Sequence, residues 1–264
     1  MLWLIEKEIE FEAVYCDTGF EAPETHNYIY QLAERFKFSV SFLEPKKDFF
    51  ELAASKGRFP SIKARFCTTE LKVVPFIDWL LVKGGDYVIY QGIRAEESNA
   101  RAAMNQVDDY FSSYLVQYGR GQKRPYQYAK KRVLEWLNEG NTAIVKRPIF
   151  NLSVDEVFAL HKKFNLEPNP LYSQGLSRVG CWPCIMCRHS EVKLVAIIDP
   201  KAIETIAIHE KEIGSTFFGK GYAGGRGTIW PIDKVVTYIE TKNPSSDMFG
   251  PMATKCISPL INCE

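Results

Sequence analysis

Three cysteines at regular spacing are the clearest chemical signal in this sequence. Cys181, Cys184 and Cys187 follow the pattern C-x2-C-x2-C. Thiolates at this spacing can converge on one zinc ion or one iron–sulfur cluster, and such a site usually needs a fourth ligand. Cys67 is the candidate for that ligand, because it precedes a predicted helix whose N-terminus would stabilise a thiolate. The pattern predicts a cysteine-bound metal centre, with three buried cysteines near a turn as the alternative.

A second group of polar residues follows a predicted strand near the start of the chain. The apolar run FEAVYC, residues 11–16, ends at Asp17, Thr18 and Gly19. These residues could offer a carboxylate, a hydroxyl and backbone N–H groups to a nucleotide. An ordinary strand-to-helix turn is the alternative, and these three residues alone favour it.

A guanidinium follows another predicted strand, DYVIYQG at residues 86–92. Arg94 comes just after Gly92, which lets a ligand approach the backbone closely. An arginine in this position can grip phosphate or sulfate with two parallel hydrogen bonds. Pairing of a solvated Arg94 with Glu96 or Glu97 is the alternative, and the spacing does not choose between the two.

Short apolar strands alternate with amphipathic helices through the first part of the chain. Predicted strands cover residues 11–16, 40–45 and 86–92, and predicted helices cover 25–36, 48–55, 71–82, 125–137, 153–164, 191–198, 201–213 and 231–241. This order predicts an α/β fold, a Rossmann-like parallel sheet with helices on both faces, followed by a mostly helical C-terminal part. Ligands of such sheets bind beyond the carboxyl ends of the strands, so we expect Asp17 and Arg94 to line one crevice.

Composition excludes several classes of protein. The 264 residues are 46% hydrophobic and 25% charged, which is typical of a globular protein, and the net charge of +1 does not by itself point to a nucleic-acid or membrane partner. The sequence contains no apolar run long enough for a membrane span and no secretory signal at its start, so we expect a cytoplasmic protein. Seven cysteines, an odd number, favour metal or redox chemistry over a disulfide framework.

One local segment is basic. Six lysines and arginines lie from Arg120 to Arg132, three of them on a predicted helix. They could contact DNA, although such a run usually forms a solvated face. The glycine-rich loop at residues 219–227 lacks the G-K-[ST] of a Walker loop and is interpreted as a linker or lid.

Four segments in this order together resemble the phosphoadenosine-phosphosulfate (PAPS) reductase family. They are VYCDTGF at 14–20 with PET at 23–25, RFCTTELK at 65–72, GIRAEES at 92–98, and NPLY at 169–172 leading to RVGCWPC at 178–184. Each is weak to moderate alone, but their order and spacing are specific. They cover about two-thirds of the chain, and relatives in phages or mobile elements are expected.

The resemblance implies a fold, a chemistry and a set of site residues. The fold is the PP-loop, adenine nucleotide alpha hydrolase-like fold, and the chemistry is that of adenylyl sulfates. The implied nucleotide-binding residues are Asp17, Thr18, Gly19, Gly92, Arg94, Glu97 and Ser98. Cluster-bearing members hold a [4Fe–4S] cluster with cysteines that match Cys67, Cys181 and Cys184, which favours this cluster over zinc. The family usually has two adjacent cysteines where this chain has Phe66 and Cys67, and the spacing makes Cys187 the replacement ligand.

The chain departs from the family pattern at both ends. The family's first strand and its S-G-G-x-D-S loop, which holds phosphate, are absent, so an N-terminally truncated member is expected. Reductases of the family carry a catalytic cysteine near the C-terminus. Cys256 and Cys263 are the candidates for it, although their context differs from the family's and exposed tail thiols are an equal alternative.

These observations lead to one leading function and two rivals. The first is an enzyme, or its remnant, acting on adenylyl sulfate as a reductase-like oxidoreductase or sulfurtransferase, with a thiol reductant such as thioredoxin as a partner. The second is a sulfur-transfer enzyme of the same fold that modifies DNA. The third is an inactive fragment or a zinc-stabilised binding protein. The predicted domains are 1–187, with a helical insertion near 100–140, and a helical extension at 188–264.

Overall fold

The computed structural model describes residues 1–112 and 128–242. The strands are β1 (Ala13–Cys16), β2 (Val40–Leu43), β3 (Asp86–Tyr90), β4 (Val107–Asp109) and β5 (Thr142–Lys146). The helices are α1 (Leu2–Glu6), α2 (Pro23–Phe36), α3 (Phe49–Lys56), α4 (Phe66–Thr68), a π-helical turn (Thr69–Val73), α5 (Val74–Lys83), a 3-10 turn (Ala95–Glu97), α6 (Asn99–Ala102), α7 (Lys130–Asn138), α8 (Val154–Lys163), α9 (Pro170–Ser173), α10 (His189–Ile198), α11 (Pro200–Ile213) and α12 (Ile232–Lys242). Within these residues, no helix combines the length and the apolar character needed to cross a bilayer.

The predicted α/β class is confirmed, with a mixed arrangement of strands. β1 and β2 pair in parallel, and so do β3 and β5. The short strand β4 adds an antiparallel pairing, because it runs antiparallel to β5. The pairings form two hydrogen-bonded sheets, with strand orders β1-β2 and β3-β5-β4. The sequence pattern did not predict β4 or β5.

The chain forms two compact units, each built from two stretches of sequence. The β3–β5 unit consists of Met1–Phe11 and Val74–Leu166, and the β1–β2 unit consists of Glu12–Val73 and Glu167–Glu264. The C-terminal helices α10, α11 and α12 therefore belong to the same unit as β1. The domain boundary at residue 187 stays a prediction.

Aromatic side chains form the centre of the β1–β2 unit. Phe20 stacks on Phe49 at 4.8 Å between ring centroids, and Phe217 packs against Phe59 at 5.3 Å. Helix α3 begins at a capping box, in which Asp48 accepts a hydrogen bond from the backbone N–H of Glu51. Because Phe20 is part of this core, the turn between β1 and α2 is anchored to it.

Helices α5 and α7 contribute buried apolar side chains to the β3–β5 unit. Ile77 and Leu80 of α5 are fully buried, and so is Val133 of α7. Trp136 of α7 packs edge-on against Phe111 at 5.7 Å. Every third or fourth residue of each helix thus faces the core, which is the pattern of amphipathic helices.

Candidate functional site

The turn after β1 holds the carboxylate of Asp17 in one orientation. The Gly19 N–H donates a hydrogen bond to Asp17 Oδ1 at 2.9 Å, and His26 Nε2 lies 2.8 Å from Asp17 Oδ2. Burial opposes the ionisation of Asp17, but the hydrogen bonds from Gly19 and His26 outweigh it, so the pKa of Asp17 is lowered from 3.8. The carboxylate is therefore ionised and fixed at neutral pH.

The Glu21 side chain accepts hydrogen bonds from other residues of the same turn. The N–H groups of Thr18 and Phe20 donate to Glu21 Oε2 at 3.1 and 3.2 Å, and the Thr18 hydroxyl donates to Glu21 Oε1 at 2.6 Å. Burial is the largest influence on Glu21 and raises its pKa, against the Thr18 hydrogen bonds and the Lys72 ammonium. The Thr18 side chain, which is fully buried, thus has an internal partner. Its contact with a nucleotide stays a prediction.

Gly19 occupies a position that only glycine suits. Its φ is +69°, and a Cβ placed on it would lie 2.9 Å from the Cβ of Asp48. A side chain here would meet both an unfavourable backbone conformation and a close neighbour at the start of α3.

Cysteine-rich sequence lies directly beside this turn. The backbones of Glu21 and Cys181 pair in an isolated antiparallel bridge, and the Trp182 N–H donates to the Phe20 carbonyl at 2.9 Å. The Trp182 indole N–H donates to Asp199 Oδ2 at 3.0 Å, which fixes the segment to the start of α11. The structure thus brings Cys181 next to the Asp17 turn from a distant part of the chain.

Burial keeps several of the cysteines protonated. The Cys16 thiol donates to the Lys72 carbonyl at 3.4 Å, and burial raises its pKa to about 11. Burial also raises the pKa of Cys67, and it raises that of Cys187 to about 12. Cys187 Sγ lies 3.8 Å from the hydroxyl of Tyr222, in the glycine-rich loop. These sulfurs are therefore thiols at neutral pH.

Arg94 lies in the β3–β5 unit and is ion-paired. Its side chain is only 1% exposed, it pairs with Glu96, and its NH1 donates to the Leu152 carbonyl at 3.2 Å. The alternative interpretation was a solvated Arg94 that pairs with a neighbouring carboxylate. The pairing with Glu96 is present, but the arginine is buried and not solvated. Its role in gripping phosphate or sulfate stays a prediction.

The neighbours of Arg94 also have internal partners. Glu97 is ion-paired with Arg101, and the Ser98 hydroxyl accepts the Arg101 N–H at 3.2 Å as the N-cap of α6. Gly92 lies between β3 and the 3-10 turn and is half-buried. Asp17 and Arg94 belong to different units, so their sharing of one crevice stays a prediction.

Comparison with known proteins assigns the family. Residues 1–187 match the model of the phosphoadenosine phosphosulfate reductase domain. The chain belongs to the PAPS reductase domain family. The chain is 36% identical over 202 residues to an uncharacterized 37.8 kDa protein in the gpa 5′ region of Escherichia phage 186, with 71% of this chain and 52% of the phage protein covered. The chain therefore spans about half the length of this relative. The match to a phage protein confirms the expected phage-associated homologue.

A solved structure also resembles this PAPS reductase family member. It is the phosphoadenylyl-sulfate (PAPS) reductase from Candida auris in its phosphate complex. The match has 18% sequence identity and a TM-score of 0.46, and it covers 69% of this chain and 74% of the other.

The predicted metal ligands are not gathered into a site in this structure. Within residues 1–112 and 128–242, no three His, Cys, Asp or Glu side chains are placed to hold a metal ion together. Cys67, Cys181, Cys184 and Cys187 are therefore not grouped as metal ligands in the described part of the chain, and we assign no chemical step to a metal. The four-cysteine centre stays a prediction.

Metal analysis tests that prediction. We expect protein purified without oxygen to contain iron and sulfide, because three cysteines recur at ligand spacing. Replacement of one predicted ligand, Cys184→Ser, should remove both, whereas Cys16→Ser should retain them. Zinc in place of iron would support the alternative metal, and metal-free wild-type protein would contradict the prediction.

Two other predicted features, the C-terminal cysteines and the basic segment, are partly or wholly outside the described residues. Cys256 and Cys263 lie outside the described residues. Arg120, Lys123 and Arg124 of the basic segment also lie outside them. On α7, Arg132 pairs with Asp78 at 2.9 Å and Lys131 lies 3.8 Å from Glu135. Part of the basic helix is thus neutralised by carboxylates, and DNA contact stays a prediction.

Two residues of the β1 turn escaped the sequence analysis. Neither His26 nor Glu21 was among the residues that the sequence pattern singled out. Pro23 offered a signal, since proline favours the first position of a helix and thereby places His26 in the first turn of α2. That turn follows β1 closely enough for His26 to contact Asp17.

Proposed function

We propose that this PAPS reductase family member binds an adenylyl sulfate at the turn after β1 and supports thiol attack on its sulfur. The observation that carries the proposal is the Asp17 carboxylate, which is ionised and fixed by Gly19 and His26. It stands at the carboxyl end of a parallel strand, the usual ligand position in α/β folds. The family match over residues 1–187 includes this turn.

The proposed reaction needs two thiols. The sulfur of the first attacks the sulfuryl sulfur, an S–S bond forms, and the S–O bond breaks so that AMP leaves with its electron pair. The second thiol then attacks the first sulfur, which yields a disulfide and sulfite. The two thiols are thereby oxidised, the sulfate is reduced to sulfite, and their protons pass to solvent. Cys256 or Cys263 and an external reductant such as thioredoxin are the proposed sources of the thiols.

Nucleotide binding tests the first part of the proposal. Titration calorimetry with AMP and adenosine 5′-phosphosulfate should show binding, and Asp17→Asn should weaken it about tenfold, because a hydrogen bond to a charged group is lost. Asp155→Asn is the matched control, since Asp155 is an exposed residue in the first turn of α8. Binding of neither ligand by the wild-type protein would refute the proposal.

Sulfite release tests the second part. Wild-type protein given adenosine 5′-phosphosulfate and a dithiol should release sulfite, and the double variant Cys256→Ser, Cys263→Ser should lose this activity. Nucleotide binding without sulfite would contradict the reductase chemistry. Retention on DNA that falls steeply with salt would then favour the sulfur-transfer alternative.

A further inference from the structure

The third cysteine of the C-x2-C-x2-C run contacts the glycine-rich loop. Cys187 is buried, whereas Cys181 and Cys184 are partly exposed. The hydroxyl of Tyr222, a residue of that loop, donates a hydrogen bond to the Cys187 carbonyl at 2.9 Å and lies 3.8 Å from the Cys187 sulfur. One side chain of the loop thus contacts the sulfur and also fixes the backbone that carries it.

Two further contacts hold Tyr222 in this position. Its ring stacks on the ring of Phe218, with the centroids 3.7 Å apart and the planes 3° from parallel. The Tyr222 carbonyl can only accept a hydrogen bond, so His189 Nε2, which lies 2.7 Å from it, is the donor. His189 is the first residue of α10, the helix that follows the cysteine run. The loop is therefore attached to the cysteine segment at two neighbouring residues, Cys187 and His189.

A close contact with Trp230 holds the middle of the loop. Gly224 lies so near the indole ring that a Cβ placed on it would be 2.3 Å from the ring. Gly224 and its neighbour Gly225 both have positive φ values, of +76° and +98°, but a Cβ on Gly225 would meet no atom within 4 Å. Residues 225–227 are exposed. A few contacts thus hold a mostly exposed loop, which is typical of segments that open locally at a low free-energy cost.

We propose that the glycine-rich loop, residues 219–227, is a lid that closes over Cys187 and controls when its thiol can react with alkylating or oxidising reagents. The lid opens when the contacts of Tyr222 and Gly224 are released, while the surrounding helices stay folded. The loop lies outside residues 1–187, which match the family, so this control belongs to the C-terminal part of the chain. The inference does not depend on the proposed function.

Alkylation of individual cysteines tests the lid. Reduced full-length protein is treated with iodoacetamide in the presence of a chelator, so that no metal shields the thiols. Mass spectrometry of the digested chain, with fragment-ion sequencing of the peptide 179–188, gives the rate at each cysteine. Cys187 should react about a hundredfold more slowly than in the urea-unfolded chain, because the loop must open first. Equal rates in the folded and unfolded chains would overturn the inference.

Two glycine variants separate the lid contact from the effect of the backbone. Gly224→Ala should speed the alkylation of Cys187 about twentyfold, because the new Cβ would overlap the Trp230 ring and hold the loop open. Gly225→Ala is the matched control, since it also places a Cβ at positive φ but without an overlap. It should change the rate by no more than about fivefold. The same rate in the two variants would overturn the inference.

Tyr222→Phe tests the lid by a second route. It keeps a ring against Phe218 but removes the hydrogen bond to the Cys187 carbonyl, so alkylation of Cys187 should become about fivefold faster. If Tyr222 acted only on the sulfur, loss of its hydroxyl would disfavour the thiolate and slow the reaction, which would overturn the inference.

Cys16 reports on global unfolding in the same samples. Its thiol donates to the Lys72 carbonyl, away from the loop in sequence, and its rate should be the same in every variant. If Gly224→Ala also accelerates Cys16, that variant is globally destabilised, and the direction of the change in Tyr222→Phe decides the inference.

Discussion

Replacing Gly19 with alanine should lower the free energy of unfolding by about 3 kcal/mol, because two costs add. The backbone at φ +69° disfavours any residue with a Cβ, and the new Cβ would lie 2.9 Å from the Cβ of Asp48. Neither atom is at the end of a flexible side chain, so the start of α3 or the β1 turn must shift. Urea denaturation of the purified variant measures the loss.

Gly57→Ala is the matched control for this prediction. Gly57 has a similar φ of +64°, but nothing lies within 4 Å of an added Cβ. This variant should lose only about 1 kcal/mol, the cost of the backbone conformation alone. Equal losses in the two variants would show that the contact with Asp48 does not matter.

Replacing Glu210 with alanine should be destabilising by an estimated 3 kcal/mol, since it leaves two amide donors without their acceptor. Glu210 is buried, and its Oε1 and Oε2 accept the N–H groups of Phe217 and Ile232 at 2.7 and 2.8 Å. One side chain thus holds both ends of the segment that joins α11 to α12. Chemical denaturation gives the size of the loss.

The control for Glu210 lies on the same helix. Glu204 is exposed on α11, so Glu204→Ala should change stability by less than about 0.5 kcal/mol. A loss at Glu204 as large as that at Glu210 would indicate that helix α11 itself, and not the two hydrogen bonds, is responsible.

Glu210 also predicts a pH dependence of stability. Burial is the largest influence and raises the pKa of Glu210 above its ordinary value of 4.5. The folded chain therefore holds this proton more tightly than the unfolded chain. The resulting stabilisation is complete below pH 4.5 and is lost as the pH rises through the raised pKa. The difference in the free energy of unfolding between wild type and Glu210→Gln should therefore become smaller as the pH rises over that range. A difference that stays constant would contradict the raised pKa of Glu210.

Local sequence was enough to predict the longer elements. The 3.6-residue period of apolar positions marked α2, which runs from Pro23 to Phe36, and a capping box marked α8. Strand β5 was missed. Its five residues, Thr142–Lys146, bury only Ala143 and Val145, and so short an alternation gives a weak signal until β3 pairs with it.

The sequence by itself determined the family, the α/β class and the position of the turn after β1. These depend on residues that are close together in the chain, such as Asp17, Thr18 and Gly19. Only the tertiary structure decided which partners the charged groups have. The Asp17 carboxylate is hydrogen-bonded to His26, and the Arg94 guanidinium contacts both the Leu152 carbonyl and the Glu96 carboxylate. A buried charge takes whichever hydrogen-bonding group the fold brings within reach, and that choice depends on packing between segments and not on the local pattern of residues.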